Sequence, residues 1–233
     1  MGLTEAMKAK LANVSLGENE VIKSEMANMS KAPNKNSQYE SDMELYNNLL
    51  AKAGRIAGVK PSEVKYTMDL IAYHESARTM DPTIKQRGKY NIAKGKYEVG
   101  GPGRGLYQYE LSKSDTYKQA SGAGRTAMNR IDQVLGGSGM GTGNLPSWAN
   151  KYYTKDDKGN YIHDVDASEL TATQQNILFL ADKIMDPKVK LADIGNLSKD
   201  EWWARYHHKG ISSDHSTFKA NKRRYDANFN RSY

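Results

Sequence analysis

The chain has 233 residues, 38% of them hydrophobic and 26% charged, which suits one sizeable core with room for an appendage. It has no cysteine, which excludes disulfides, thiolate metal sites and cysteine nucleophiles. The net charge of +7 favours a polyanionic partner, and nucleic acid, an anionic envelope polymer and an acidic membrane surface all satisfy it. No apolar run approaches the roughly 20 residues that a membrane-spanning helix needs.

The N-terminal segment differs in pattern from the rest of the chain. It opens with M-G-L-T-E-A-M-K, which lacks the apolar core of a secretory signal, so we expect synthesis in the cytoplasm without a signal peptide. Two short helical patterns, around residues 3–11 and 18–29, are each too short to be stable alone in water. We therefore predict an appendage over residues 1–38, as a flexible tail or a docking arm, and one domain over residues 39–233.

The first long helix is predicted from Ser41 to Ala57. Ser41 is in position to cap it, with Glu44 at the third helical position, and Gly58 ends it. Its predicted apolar stripe consists of Leu45, Leu49, Ala53 and Ile56.

The next predicted helix, over residues 61–77, places a carboxylate on an apolar face. Val64, Met68 and Ile71 recur at steps of four and three, and the same face then carries Glu75. Burial and the negative end of a helix dipole both raise the pKa of a carboxyl group, and proteins keep such groups mainly as proton donors near neutral pH. The alternative is that the helix frays early and that Glu75 is a solvated surface residue.

After this helix the pattern changes to short strands and glycine. Residues 90–92 and 97–99 flank a turn at Gly95 and predict a β-hairpin. Residues 100–110, G-G-P-G-R-G-L-Y-Q-Y-E, are rich in glycine, which indicates sharp turns or close approach of the backbone to a neighbour. This stretch is not a phosphate-binding loop, because no G-K-[S/T] follows it.

The rest of the chain is predicted to be mostly helical. Helices are expected over residues 112–119, 124–134 and 172–185, after a cap at Ser198 with Glu201, and in the basic stretch F-K-A-N-K-R-R-Y. Residues 151–163 predict a second hairpin around D-D-K-G-N, and Trp202 and Trp203 are expected in the core. The predicted fold class is mainly α, a helical domain with one or two small β-hairpins.

Four short motifs occur in the order of a known family. They are Glu75-Ser76, Gly105-Leu106-Tyr107-Gln108, Asn176-Ile177 and Tyr206-His207-His208-Lys209-Gly210. In this order they resemble the motifs of lytic transglycosylases and goose-type lysozymes. The chain departs from the family at His207, where Asn is usual, and in a longer stretch between Glu75 and Gln108.

The resemblance implies an α+β lysozyme-like fold and cleavage of the β-1,4 bond between N-acetylmuramic acid and N-acetylglucosamine, with Glu75 as the general acid. It implies that Tyr206 hydrogen-bonds Glu75. Substrate-binding roles are implied for Ser76, Gly105, Leu106, Tyr107, Gln108 and Tyr206. In lytic transglycosylases one Glu suffices, because its carboxylate then takes the proton of the muramic C6 hydroxyl and a 1,6-anhydro ring closes.

The alternatives differ in chemistry. A hydrolytic muramidase needs a second carboxylate at roughly 5–9 Å from the first. The candidates are Asp81, Glu98 and Glu110, of which Glu110 is favoured because it lies just beyond Gln108 on the same extended segment. Two non-enzymatic alternatives stay open: a virion structural protein that keeps a lysozyme-like scaffold, and a nucleic-acid-binding protein, for which the chain has no recognisable motif.

The resemblance also sets expectations for partners and for the place of action. The expected substrate is the peptidoglycan glycan strand, and the expected source is a bacteriophage. Virion proteins are expected to dock through residues 1–38, and the cell wall is expected to be reached from the virion or after release at lysis. No cofactor and no metal is expected, since His207, His208, Asp214 and His215 match no ligand spacing.

Overall fold

The computed structural model describes residues 35–86, 90–97, 100–112, 121–208 and 215–229. Its contacts divide the chain into Met1–Ser41 and Asp42–Tyr233, and the features below belong to the second unit unless stated. The α-helices within the described ranges are α1 (Lys35–Ala57), α2 (Pro61–Glu75), α3 (Ala123–Val134), α4 (Ala172–Met185), α5 (Asp193–Asn196), α6 (Lys199–Tyr206) and α7 (His215–Phe229). The prediction of a mainly helical chain is confirmed. The predicted appendage lies outside the described ranges apart from residues 35–38.

Helix α1 begins earlier than predicted and ends where predicted. Its first residue is Lys35, so Ser41 lies inside the helix and its prediction as the N-cap is wrong. The chain leaves the helix through Gly58 at a φ of 68°, a left-handed conformation that glycine adopts without strain.

The buried face of α1 is rotated slightly from the predicted stripe. It runs through Leu49, Ala53 and Ala57 at steps of four residues. Ile56 falls beyond the edge of this face and is 49% exposed, so its assignment to the apolar stripe is wrong.

Helix α2 stops at Glu75. Pro61 lies in its first turn, where the missing N–H costs no helical hydrogen bond. Its buried face includes the predicted stripe, Val64, Met68 and Ile71. The helix ends before the predicted Ala77 because Ala77 and Arg78 adopt positive φ, and the Arg78 N–H closes the end on the carbonyl of Tyr73 at 2.7 Å.

Two two-stranded antiparallel sheets lie within the part of the chain that the structure describes. The first pairs β1 (Tyr90–Asn91) with β2 (Lys96–Tyr97) around Gly95, which confirms a hairpin at the first predicted place. Its strands differ from the predicted ones, because Ile92 begins a 3-10 helix (Ile92–Lys94), and residues 98–99 lie outside the described ranges. The second pairs β3 (Gly103–Arg104) with β4 (Tyr109–Glu110). The glycine-rich stretch therefore forms a hairpin of its own.

The other predicted hairpin, over residues 151–163, is smaller than predicted. Its first residues belong to a 3-10 helix, Ser147–Tyr153, and Lys155 pairs with Tyr161 in a single bridge. The Asp156 carboxylate holds the turn by accepting from the N–H groups of Lys158 and Asn160.

The loop between β3 and β4 is held by a side chain from α4. The buried Gln175 accepts from the Leu106 N–H at 2.6 Å and donates to the carbonyls of Pro82 and Leu170 at 2.8 and 2.9 Å. Gly105 lies against this amide at a φ of 71°, and a Cβ there would be 2.3 Å from Gln175 Oε1. Both the backbone conformation and the space require glycine at this position.

The helices of the second half pack around a shared core. Helix α3 packs against α4, and α2 contacts α5, α6 and α7. The predictions of helices over 124–134 and 172–185 are confirmed, with α3 beginning one residue early. The predicted helix over 112–119 lies outside the described residues, apart from Ser112.

Helix α6 begins as its sequence predicts. Glu201 accepts from the N–H and the hydroxyl of Ser198, which is the predicted interaction between cap and third helical residue. Trp202 and Trp203 are both in the core, as predicted. The basic C-terminal stretch is helical as α7. Across the described ranges, no helix combines the length and apolar character needed to cross a bilayer.

The contact between Gly105 and Gln175 gives a stability prediction. We expect Gly58→Ala, at a similar positive φ but with open space around it, to cost about 1–2 kcal/mol of unfolding free energy. Gly105→Ala carries the same backbone cost and also displaces the Gln175 amide, which adds about 1–3 kcal/mol because buried polar groups lose their partners. Urea unfolding of both variants measures the difference, and equal losses would show that Gln175 moves aside freely.

Candidate active site

A cleft of about 670 Å³ is lined by the end of α2, the β3–β4 hairpin and parts of α3, α4 and α6. This volume falls within the roughly 300–1,000 Å³ that is typical of ligand-binding clefts. The lining includes five residues predicted from the sequence as site residues: Glu75, Tyr107, Gln108, Glu110 and Tyr206. The hairpin made by the glycine-rich stretch and the end of the helix that carries Glu75 therefore share one cleft.

The carboxyl group of Glu75 is mostly buried at the wall of this cleft. Its side chain is 12% exposed, so the alternative of a solvated surface residue is wrong. The indole Nε1–H of Trp203 donates to Glu75 Oε1 at 2.7 Å, and His207 Nε2 lies 3.8 Å from the same oxygen. Burial of this carboxyl is thus accompanied by a directed hydrogen bond from a core side chain.

His207 is neutral beside this acid. Its Nε2 lies 3.1 Å from the carbonyl oxygen of Tyr107, and because a carbonyl only accepts, Nε2 carries the hydrogen. Burial, reinforced by the positive charge of Lys183, lowers the pKa of His207 well below its ordinary value. The 3.8 Å approach of His207 to Glu75 is therefore not an ion pair.

The glycine-rich loop presents two of its residues to the cleft. Tyr107 is packed on Phe179 with ring centroids 4.2 Å apart, and its hydroxyl donates to Asn176 Oδ1 at 2.6 Å. Gln108 has a φ of 50° and donates from Nε2 to the Gly105 carbonyl at 2.7 Å. Tyr107 is held by the start of α4, and Gln108 is held by its own loop.

Three residues predicted to bind substrate are not among those that line the cleft. Ser76 has no exposed surface, and its hydroxyl accepts from the Met80 N–H at 3.0 Å, which shapes the turn after α2. Gly105 and Leu106 are buried and hold the loop against Gln175. These three residues therefore stabilise the backbone around the cleft and do not line it.

Tyr206 lines the cleft but does not hold Glu75. Its hydroxyl donates to Asp193 on α5, so the predicted hydrogen bond to Glu75 is wrong. Burial and this bond to Asp193 raise the pKa of Tyr206. Trp203, one turn earlier on α6, supplies the hydrogen bond to Glu75 instead.

The three candidates for a second carboxylate have different positions. Glu110 lines the same cleft as Glu75, and its Oε2 accepts from the Ser121 N–H at 3.0 Å. Asp81 is exposed, is not among the lining residues, and accepts from the hydroxyl and N–H of Thr83, which lowers its pKa. Glu98 lies outside the described residues. Among the described candidates, Glu110 is the one that lines the same cleft as Glu75.

The cleft wall contains an ion cluster that was not predicted from the sequence. Asp182 on α4 pairs with Arg130 of α3 and lies 2.9 Å from Lys183 Nζ, and Arg130 also lies 3.1 Å from Asp186. Burial alone would raise the pKa of Asp182, but Lys183 and Arg130 outweigh it and hold this pKa below its ordinary value. The sequence signal was weak, because the pairing joins two helices that are far apart in the chain.

The histidines near the cleft are used for packing and hydrogen bonds. The rings of His208 and Trp203 lie 4.8 Å apart, and His215 Nδ1 lies 3.1 Å from Asp200. Asp214 lies outside the described residues. Within the described ranges, no group of three or more His, Asp or Glu side chains is placed to hold a metal ion.

Comparison with known proteins adds no family to this geometry. No protein-family model matches the chain, and neither does a curated protein or a solved structure. The cleft residues and the order of the sequence motifs are therefore the features that bear on function.

The neutral state of His207 predicts a pH dependence of stability. Its folded pKa lies below the ordinary 6.5, so the unfolded chain binds the extra proton as the pH falls below 6.5, and the unfolding free energy drops by up to about 1.4 kcal/mol per pH unit. We expect His207→Asn, which keeps a donor for the Tyr107 carbonyl but does not titrate, to lose that part of the slope. Urea unfolding at a series of pH values from 7 downwards measures the unfolding free energy of both proteins. If the two plots of unfolding free energy against pH are parallel, the assignment of a lowered pKa to His207 is contradicted.

Proposed function

We propose that this chain is a peptidoglycan-cleaving enzyme with a lysozyme-like fold, which cleaves the β-1,4 bond between N-acetylmuramic acid and N-acetylglucosamine. The observation that supports it most is the position of Glu75, a mostly buried carboxyl group at the wall of a cleft that it shares with Tyr107 and Gln108. The order of the four sequence motifs supports the same assignment. The proposed place of action is the bacterial cell wall, for a bacteriophage protein.

Glu75 acts as the general acid in this proposal. It gives its proton to the glycosidic oxygen while the sugar becomes oxocarbenium-like, and the bond between C1 and that oxygen breaks. The carboxylate of Glu75 then takes the proton of the muramic C6 hydroxyl, whose oxygen bonds to C1 and closes the 1,6-anhydro ring. The acid is regenerated and no water is consumed.

The charges of the cleft favour a glycan over nucleic acid. Among the described residues that line it, four are acidic, Glu75, Glu110, Asp182 and Asp186, and two are basic, Arg130 and Lys183. A polyanionic backbone would meet net negative charge there, although the chain as a whole carries +7. A sugar chain with neutral hydroxyl and acetamido groups has no such penalty.

A hydrolytic muramidase is the second candidate function, and the position of Glu110 favours it. In a hydrolase a second carboxylate activates water or stabilises the cation opposite the acid. Glu110 lies on β4 and lines the same cleft as Glu75. The two functions share Glu75 and differ in what happens after the glycosidic bond breaks.

The role of Glu75 predicts the effect of a single substitution. We expect Glu75→Gln to reduce release of soluble fragments from purified cell wall by about 10²–10⁴-fold, because the amide keeps the acceptor for Trp203 but has no proton to give. The matched control is Glu44→Gln, on the exposed side of α1, which should leave the rate unchanged. Circular dichroism checks the fold, and substantial activity in Glu75→Gln refutes the assignment.

The product separates the two enzymatic candidates. Mass spectrometry of the released muropeptides should show anhydro ends, lighter by one water than the reducing ends of a hydrolase. On the anhydro route Glu110→Gln keeps most of its activity, since no water has to be activated. Reducing ends, together with a loss of about 10²-fold or more in Glu110→Gln, would move the assignment to the hydrolase.

A further inference from the structure

The hydrogen bond between Trp203 and Glu75 can have only one donor, the indole N–H. An indole N–H donates and never accepts, so Glu75 Oε1 is the acceptor in the 2.7 Å contact with Trp203 Nε1. His207 Nε2 lies 3.8 Å from the same oxygen, but its hydrogen is donated to the Tyr107 carbonyl. The contact with Trp203 therefore makes Oε1 an acceptor.

This arrangement determines which oxygen carries the proton of a neutral Glu75. In a carboxylic acid one oxygen bears hydrogen and the other is a carbonyl, and the carbonyl is the better acceptor. With Oε1 accepting from Trp203, the acid proton belongs on Oε2. A general acid whose proton sits on one defined oxygen needs less reorientation before it donates.

The indole itself is immobilised by rings from three parts of the chain. Trp203 has no exposed surface and is stacked on Phe218 of α7 with centroids 5.0 Å apart. His74 of α2 meets it edge-on at 4.7 Å, and His208 lies against it at 4.8 Å. A donor held on several sides imposes its own position on the carboxyl group that it binds.

We infer that Trp203 is a positioning residue for Glu75: it fixes the rotamer of the carboxyl group and keeps the acid proton on Oε2. The inference rests on the proposed function, in which Glu75 gives that proton to the glycosidic oxygen. Tyr206, which the resemblance indicated for this role, does not donate its hydroxyl hydrogen to Glu75, because that hydroxyl donates to Asp193.

The chain supplies its own control in the neighbouring tryptophan. Trp202 lies on the same helix and is equally buried, but its Nε1–H has no hydrogen-bond partner among the described residues. Trp202→Phe and Trp203→Phe therefore remove the same atoms from the same core. Only Trp203→Phe removes a donor from Glu75.

The first measurement is a pH titration of the Glu75 carboxyl group in both variants, with carbon-13 NMR as the readout. Because an N–H donor stabilises the carboxylate, its loss in Trp203→Phe should move the Glu75 midpoint to higher pH by on the order of one unit. Trp202→Phe should leave the midpoint unchanged. The other charged groups of the cleft are the same in both variants: Glu110 on β4, Arg130 on α3, Asp182 and Lys183 on α4, and Asp186 just after α4. The neighbouring His207 and His208 are also unchanged. A midpoint that moves equally in both variants, or in neither, overturns the inference.

The second measurement needs no variant. In the unaltered chain the indole N–H resonance of Trp203 should follow the Glu75 titration, and that of Trp202 should not. This decides the inference even if Trp203→Phe fails to fold, since an indole signal of Trp203 that ignores Glu75 overturns it.

The third measurement is turnover of soluble glycan strands. Trp203→Phe should lower kcat by about 10²-fold with little change in KM, and Trp202→Phe should change neither. Equal activity losses in both variants would show that Trp203 acts only as a core residue. An unaltered chain that leaves cell wall intact contradicts the proposed function, and the two titrations still decide the contact between Trp203 and Glu75.

Discussion

The shape of the cleft depends on one buried amide. Gln175 of α4 accepts from the loop between β3 and β4 and donates to carbonyls on two other segments. A buried amide satisfies its donors and acceptors together, so displacing it leaves several polar groups without partners. The loop is therefore tied to α4, and its next residues, Tyr107 and Gln108, are presented to the cleft.

Buried acids in this protein are stabilised in different ways. Asp182 is held by the cations Arg130 and Lys183. Asp132 is buried but accepts N–H bonds from Gly139 and Gly143, which hold its pKa below the ordinary value. Both are kept ionised and do not serve as proton donors near neutral pH. Glu75, by contrast, receives a hydrogen bond from the neutral indole of Trp203.

Local patterns in the sequence predicted most of the helices. The stripe of α2, the interaction of Ser198 with Glu201 and the bounds of α4 all depend on residues a few positions apart, and the structure agrees with each. Two failed predictions, the cap at Ser41 and the burial of Ile56, also concern local patterns. Serine is a residue type that often caps helices, but the helix continues through Ser41. A serine acts as a cap only where the residues before it are not helical.

The sequence by itself determined that the chain is mainly helical and that a carboxylate ends an apolar helix face, because both follow from a period of 3.6 residues. Only the tertiary structure decided the partners of that carboxylate. Trp203 and not Tyr206 bonds Glu75, and Arg130 pairs with Asp182, although neither contact has a signature in the spacing of residues. Such pairs join elements far apart in the chain, and their choice depends on the packing angles and side-chain rotamers of whole helices.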